Sequence, residues 1–200
     1  MTRSSLAKRS PRRYTRQKNT AAPAVLPGTP SRAAQIARMI RVNHAGEFGA
    51  QRIYAGQLAL LKDSPAAPLI RHMAQQEDEH LAAFEKLMIE EKVRPTIMHP
   101  LWHMAGFALG AMTAALGEKA AMACTVAVEE VIDTHYLKQL EALGPSDTRL
   151  RRLIKEFRAQ EIEHKKIGLD HGAQDLPYYS LLRILVRLGS HSAIWLSERI

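Results

Sequence analysis

Only two of the nine histidines in this 200-residue chain stand three residues after a glutamate: His80, after Glu77, and His164, after Glu161. On a helix, positions i and i+3 share a face, so each pair can close on one metal ion. A lone acid precedes each pair. Glu47 lies 33 residues before His80, and Glu129 lies 35 residues before His164. One glutamate followed by Glu-x-x-His therefore occurs twice, and few folds bring four such segments to one point.

The hydropathy pattern supplies the segments. Ile36, Ile40, Phe48, Ile53, Leu58 and Leu61 recur near helical spacing, and no proline interrupts residues 31–64. Ser64-Pro65 breaks this helix. A second is expected over residues 67–93, ended by Arg94-Pro95, and a shorter uncharged one over 101–117. Residues 118–143 form another, stopped by Gly144-Pro145. Asp147 is placed to cap a helix over 148–171 that Gly172 closes, and Pro177 opens the last. No stretch alternates β-branched residues with polar ones, so the class is all-α. Four helices of about 25 residues, each roughly 38 Å long, match a four-helix bundle.

The ferritin-like carboxylate di-metal site has this composition: a Glu from each of two helices and Glu-x-x-His from each of the other two. Four carboxylates and two neutral imidazoles carry −4, which balances two divalent ions. Oxygen and nitrogen ligands without thiolate suit iron or manganese better than zinc, and the single cysteine, Cys124, excludes a cysteine-based zinc site. Glu47 and Glu129 sit among small or apolar neighbours, where a charge needs a partner or a metal. Glu130 competes with Glu129 but points about 100° away on a helix. Asp133 and Tyr136 lie on the Glu129 face instead. Asp78, Glu79, Glu163 and His44 are expected outside the ligand set.

The net charge of +8 is unevenly placed. Residues 1–46 hold ten basic side chains and no acid, and the remainder carries −2. Residues 1–30 read as a basic, disordered arm, and 31–200 as the domain. This distribution disfavours a nucleic-acid-binding domain and suits an arm at an anionic membrane. An Arg- and Ser-rich start also resembles a transit peptide, but its apolar face is poor.

Longer motifs carry a resemblance. Arg41-Val42-Asn43-His44-Ala45-Gly46-Glu47-Phe48-Gly49-Ala50, Val93-Arg94-Pro95-Thr96, Pro100-Leu101-Trp102, the stretch from Ala121 through Val126-Ala127-Val128-Glu129-Glu130, and Leu196-Ser197-Glu198-Arg199 resemble the demethoxyubiquinone hydroxylase family of ubiquinone biosynthesis. The resemblance implies a di-iron monooxygenase that hydroxylates a polyprenylated benzoquinol with dioxygen. It implies Glu47, Glu77, His80, Glu129, Glu161 and His164 as iron ligands. It also implies an external two-electron donor, with NADH one candidate. A ferritin-like iron-binding protein and a di-iron quinol oxidase are the alternatives.

Expected partners are the quinol, a membrane surface and other ubiquinone-biosynthesis proteins; nucleic acid is not one, and homo-oligomers stay open. The expected location is the cytoplasmic face of a bacterial plasma membrane, with the matrix side of the mitochondrial inner membrane as alternative. Two stretches look towards lipid: the uncharged 101–117, and the last helix, where Arg183, Arg187 and His191 form a basic stripe opposite an apolar face. Gly46, Gly49, Gly106 and Gly110 would leave room for a flat ring and its tail. Tyr136 could relay electrons or protons, or simply pack.

Overall fold

The computed structural model describes residues 28–145 and 148–200. Ser31–Ile200 is one compact unit. It contains six α-helices: α1 (Arg32–Leu61), α2 (Ala67–Glu90), α3 (His99–Ala115), α4 (Glu118–Leu143), α5 (Arg149–Asp170) and α6 (Tyr179–Ser197), with a 3-10 turn at Ala173–Asp175 before α6. No strand occurs among the described residues.

Helix ends follow local chemistry. The Ser31 hydroxyl accepts from the Ala34 amide and starts α1, and the Thr148 hydroxyl accepts from the Arg151 amide and starts α5. The expected cap, Asp147, lies outside the described residues. The second helix stops at Glu90, earlier than Arg94-Pro95 suggests. Lys92 takes a left-handed conformation (φ 54°), and the Val93 amide turns back to the Met88 carbonyl. That closes the helix end before proline is reached.

The four longest helices, α1, α2, α4 and α5, form the bundle. Their directions can be read from their apolar ends. One core cluster contains Tyr54, Met73 and Val126, packed by Ile167, and the other contains Ile40, Phe84, Tyr136 and Phe157. Helices α1 and α5 run from the second cluster to the first; α2 and α4 run the other way. Consecutive bundle helices α2 and α4 are thus parallel, which requires a long crossover. α3 lies in that crossover and packs along α1, while α6 returns along α4. This is a ferritin-like bundle with two added helices.

The α1–α3 contact is backbone against backbone. A Cβ on Gly110 would stand 1.9 Å from the Ile53 carbonyl oxygen, and one on Gly56 would stand 2.2 Å from that of Phe107. Gly110 therefore seats a helix and leaves no room for a ligand, contrary to the expectation for it. Gly106 is similarly tight against Gly49 and Arg52, whereas Gly46 and Gly49 face open space. The basic stripe of the last helix also differs from expectation. Arg183 and Arg187 turn inward and both pair with Glu130 of α4, at 2.7 and 2.9 Å. This leaves α6 with its apolar side outward. No described helix is long and apolar enough to cross a membrane.

Candidate metal centre

Between the two apolar clusters lies one polar layer. Glu47 from α1, Glu77 and His80 from α2, Glu129 from α4, and Glu161 and His164 from α5 meet there, each at most 1% exposed. Every side chain singled out by the doubled sequence pattern is in this layer. Their ligating atoms form two overlapping groups: Glu47, Glu77, His80 and Glu161, and then Glu77, Glu129, Glu161 and His164. Glu77 and Glu161 belong to both.

The sharing is resolved oxygen by oxygen. His80 Nδ1 lies 3.1 Å from Glu161 Oε1 and 3.7 Å from Glu77 Oε2. His164 Nδ1 lies 3.1 Å from Glu161 Oε2 and 3.3 Å from Glu77 Oε1. Each of these carboxylates thus turns one oxygen to each half of the site, as a bridging ligand must. Glu47 approaches only His80, at 3.4 Å, and Glu129 only His164, at 3.9 Å.

The donor set fits a pair of cations. Eight ligating atoms are buried without a hydrogen-bond partner: both oxygens of Glu77 and of Glu161, Oε2 of Glu47 and of Glu129, and Nδ1 of each histidine. Buried polar atoms left unpaired cost about 1–3 kcal/mol each, more when charged, so this much unmet demand calls for ions. The side chains respond to the crowding. Burial, with the nearby Glu77 and Glu161 charges, outweighs the help from His80 and pushes Glu47 up to about 8. Burial and the same two neighbours push Glu129 well up. Burial also opposes the Glu77 charge, but His164 and His80 overcome it and hold this carboxyl at about 2. Burial disfavours charge on His164 too, yet Glu161 and Glu77 raise it to about 9.

A second ring of contacts holds the side chains of this layer, crossing from one half of the bundle to the other. The Nε2–H of His80 donates to Gln160 Oε1 at 2.5 Å, and that of His164 donates to Gln76 Oε1 at 2.8 Å. Each glutamine directly precedes a glutamate of the buried layer on its own helix but serves the histidine of the other helix. This leaves Nδ1 as the nitrogen free to take a metal ion. The tyrosines cross likewise: Tyr54 of α1 donates to Glu129 at 3.0 Å, and Tyr136 of α4 donates to Glu47. Tyr54, Gln76 and Gln160 were not singled out from the sequence. The signal was present, because Gln-Glu-x-x-His and Glu followed seven residues on by Tyr both occur twice.

Residues 34–197 match the family model described as ubiquinone biosynthesis protein COQ7. The chain belongs to this family. The matched span includes all six residues of the buried layer. Relatives of this COQ7-family chain include the 3-demethoxyubiquinol 3-hydroxylase of Rhodospirillum rubrum, 52% identical over 88% of the chain and 83% of the relative. The NADPH-dependent 3-demethoxyubiquinone 3-hydroxylase, mitochondrial, of Homo sapiens is 52% identical over 85% and 80%. The 5-demethoxyubiquinone hydroxylase, mitochondrial, of Saccharomyces cerevisiae is 37% identical over 85% and 80%.

One prediction concerns the crossed glutamines. Gln160→Leu or Gln76→Leu is expected to weaken binding of ferrous iron about 10–100-fold, the usual effect of losing a histidine's outer partner. Titration of each purified variant with ferrous iron checks this; wild-type affinity in both would refute it.

Proposed function

We propose that this chain hydroxylates the ring of a polyprenylated methoxy-methyl-benzoquinol, demethoxyubiquinol, with dioxygen as co-substrate. The names of its relatives suggest the reaction. The observation that carries it is a cavity of about 510 Å³ between α1, α3, α4 and α6, whose wall includes Glu47 and Tyr136. It is lined mainly by Ile, Leu, Val, Ala and Met side chains, and a cavity of this kind favours a hydrophobic organic substrate over iron storage. Glu47, Glu77, His80, Glu129, Glu161 and His164 would hold two iron ions, Glu77 and Glu161 offering one oxygen to each half of the site. Iron held there would supply the activation of dioxygen, with two electrons from an external donor such as NADH or NADPH.

The side chains supply position and exclusion. The apolar wall holds the ring against the carboxylate layer and keeps water from it. The crossed glutamines set the histidine rings. Tyr54 and Tyr136 each hold one terminal carboxylate by a phenol proton, and burial first, then the nearby Glu129 or Glu47 charge, keeps both phenols protonated well above their usual range.

The cavity mouth supports docking at a membrane. Met112, Leu116 and Leu185 line the cavity and yet are 60, 59 and 57% exposed. Met104, Leu181, Ile184, Leu188 and Trp195 extend the same kind of surface along α3 and α6. A prenyl tail could pass from lipid to this opening without crossing water. Paired Leu185→Glu and Leu188→Glu substitutions are expected to reduce sedimentation with anionic vesicles at least about tenfold, since each leucine side chain gains about 1.5–3 kcal/mol on leaving water. Unchanged sedimentation would refute this docking face.

The hydroxylase assignment is tested by deleting the gene and profiling quinones by mass. A quinone lacking one methoxy group should accumulate, and wild type but not Glu129→Ala should restore the full product. Normal ubiquinone in a deletion strain with no second hydroxylase would overturn it.

A further inference from the structure

The cavity wall carries a polar group that the metal centre does not use. Asn43 of α1 and Gln139 of α4 are both buried and form a reciprocal amide pair. Asn43 Nδ2 donates to Gln139 Oε1, and Gln139 Nε2 donates to Asn43 Oδ1, each at 2.8 Å. The same Gln139 nitrogen faces Nε2 of His135, one turn earlier on α4, at 2.7 Å. With the Gln139 amide in this orientation its nitrogen can only donate, so His135 Nε2 accepts and carries no proton. In a neutral imidazole the proton then sits on Nδ1. Burial first, then the nearby Lys138 and His191, lowers His135 to about 4, so the ring is neutral at ordinary pH.

His135 lines the cavity, as does Asn43. Its Nδ1–H makes no hydrogen bond among the described residues. Three other donors on the wall are committed elsewhere, Tyr136 to Glu47, Trp102 to Ser197, and Thr113 to carbonyls of its own helix, while the Ser190 and Ser197 hydroxyls lie on α6, across the cavity from α1. The position is also telling. Asn43 precedes Glu47 by one helical turn, and His135 adjoins Tyr136. On α4 this donor stands six residues beyond Glu129, about 9 Å along the helix, so a ring held by it lies on the cavity wall towards the carboxylate layer.

We propose that His135 recognises a ring oxygen of the bound quinone or quinol through Nδ1–H, with Gln139 and Asn43 fixing the tautomer that makes it a donor. This rests on the quinone assignment above. The role is recognition: His135 orients the ring, and the reacting carbon is left to the metal layer. A site built around one donor discriminates strongly against a ring that lacks the matching acceptor.

The test uses the iron-loaded protein and three probes: a short-tailed methoxybenzoquinone, the same tailed ring without its two quinone oxygens, and a prenyl alcohol with no ring. Binding is measured by calorimetry. Wild type should hold the quinone about tenfold more tightly than the deoxygenated ring, which tests the donor without any substitution. His135→Phe should lose about tenfold for the quinone and bind the other two within twofold of wild type. His135→Gln, which keeps an N–H donor, should recover much of the loss. Equal affinity of wild type for quinone and deoxygenated ring overturns the proposal, as does an unchanged quinone affinity in His135→Phe. A parallel loss for the prenyl alcohol, or no recovery in His135→Gln, also overturns it by making the residue a packing element. Wild type that binds the prenyl alcohol but no quinone removes the quinone assignment itself, and this inference with it.

Discussion

Glu161→Gln is expected to release both metal ions, whereas Glu129→Gln should release one at most. The difference follows from which oxygens face which half of the site. Glu161 lies 3.1 Å from both histidine nitrogens, one oxygen to each, and Glu77 is placed the same way. Glu129 reaches only the His164 half and Glu47 only the His80 half. An amide at position 161 keeps one oxygen and turns an N–H donor towards the other ion, where a ligand oxygen is needed. Ferrous iron at a hundredfold excess over Kd stabilises by about 2.7 kcal/mol per site, roughly 5–10 °C in unfolding temperature for a chain of this size. Wild type should show about twice that rise, Glu129→Gln and Glu47→Gln about one share, and Glu161→Gln and Glu77→Gln almost none. Hydroxylation should fall at least about 10³-fold in all four, because several kcal/mol of charge stabilisation at the metal pair is lost in each. Iron content and unfolding temperature therefore separate variants that activity alone does not. Two irons retained in Glu161→Gln would refute the bridging arrangement.

The six buried ligand candidates were legible because two constraints meet in them. Metal chemistry restricts the residue types, and the helix restricts the spacing, so Glu-x-x-His leaves a mark in one dimension. Gln76 and Gln160 escaped for a geometric reason. Each stands about 100° around the helix from the glutamate beside it, so the doubled Gln-Glu-x-x-His marks the residue but not its partner, which is on another helix. Tyr54 was overlooked although Glu47–Tyr54 repeats the spacing of Glu129–Tyr136. The direction of the α6 arginines was also hidden. Arg183 and Arg187 read as a free basic stripe until Glu130, rejected as a ligand because it points away from Glu129, proves to be their partner. The same 100° turn that removes Glu130 from the metal layer places it against α6. The glycines divide along a similar line. A small residue opens space only where nothing approaches it, and whether a helix lies across Gly46 or Gly110 is a property of the assembled bundle.

Gly110→Ala separates the cavity from the metal centre. The new Cβ would stand 1.9 Å from the Ile53 carbonyl oxygen and 2.8 Å from its carbon, so backbone must move. No side chain can swing aside to absorb the clash. Overpacking of this kind costs about 3 kcal/mol, and the unfolding temperature should fall by roughly 6–12 °C. A glycine facing open space gives the opposite sign. Gly189→Ala on α6 meets nothing within 4 Å and should gain about 0.5–1 kcal/mol from helix propensity alone. The functional consequence of Gly110→Ala is asymmetric. Helix α3 carries Trp102, Leu109, Met112 and Thr113 on the cavity wall but none of the six buried glutamates and histidines. Pushing α3 off α1 therefore opens the cavity while α1, α2, α4 and α5 still converge on the carboxylate layer. The folded variant should retain about two irons per chain, bind the short-tailed quinone at least about tenfold more weakly, and lose hydroxylation in proportion. Loss of iron together with quinone binding would show that α3 braces the whole bundle, and would refute its assignment as a wall of the substrate cavity alone.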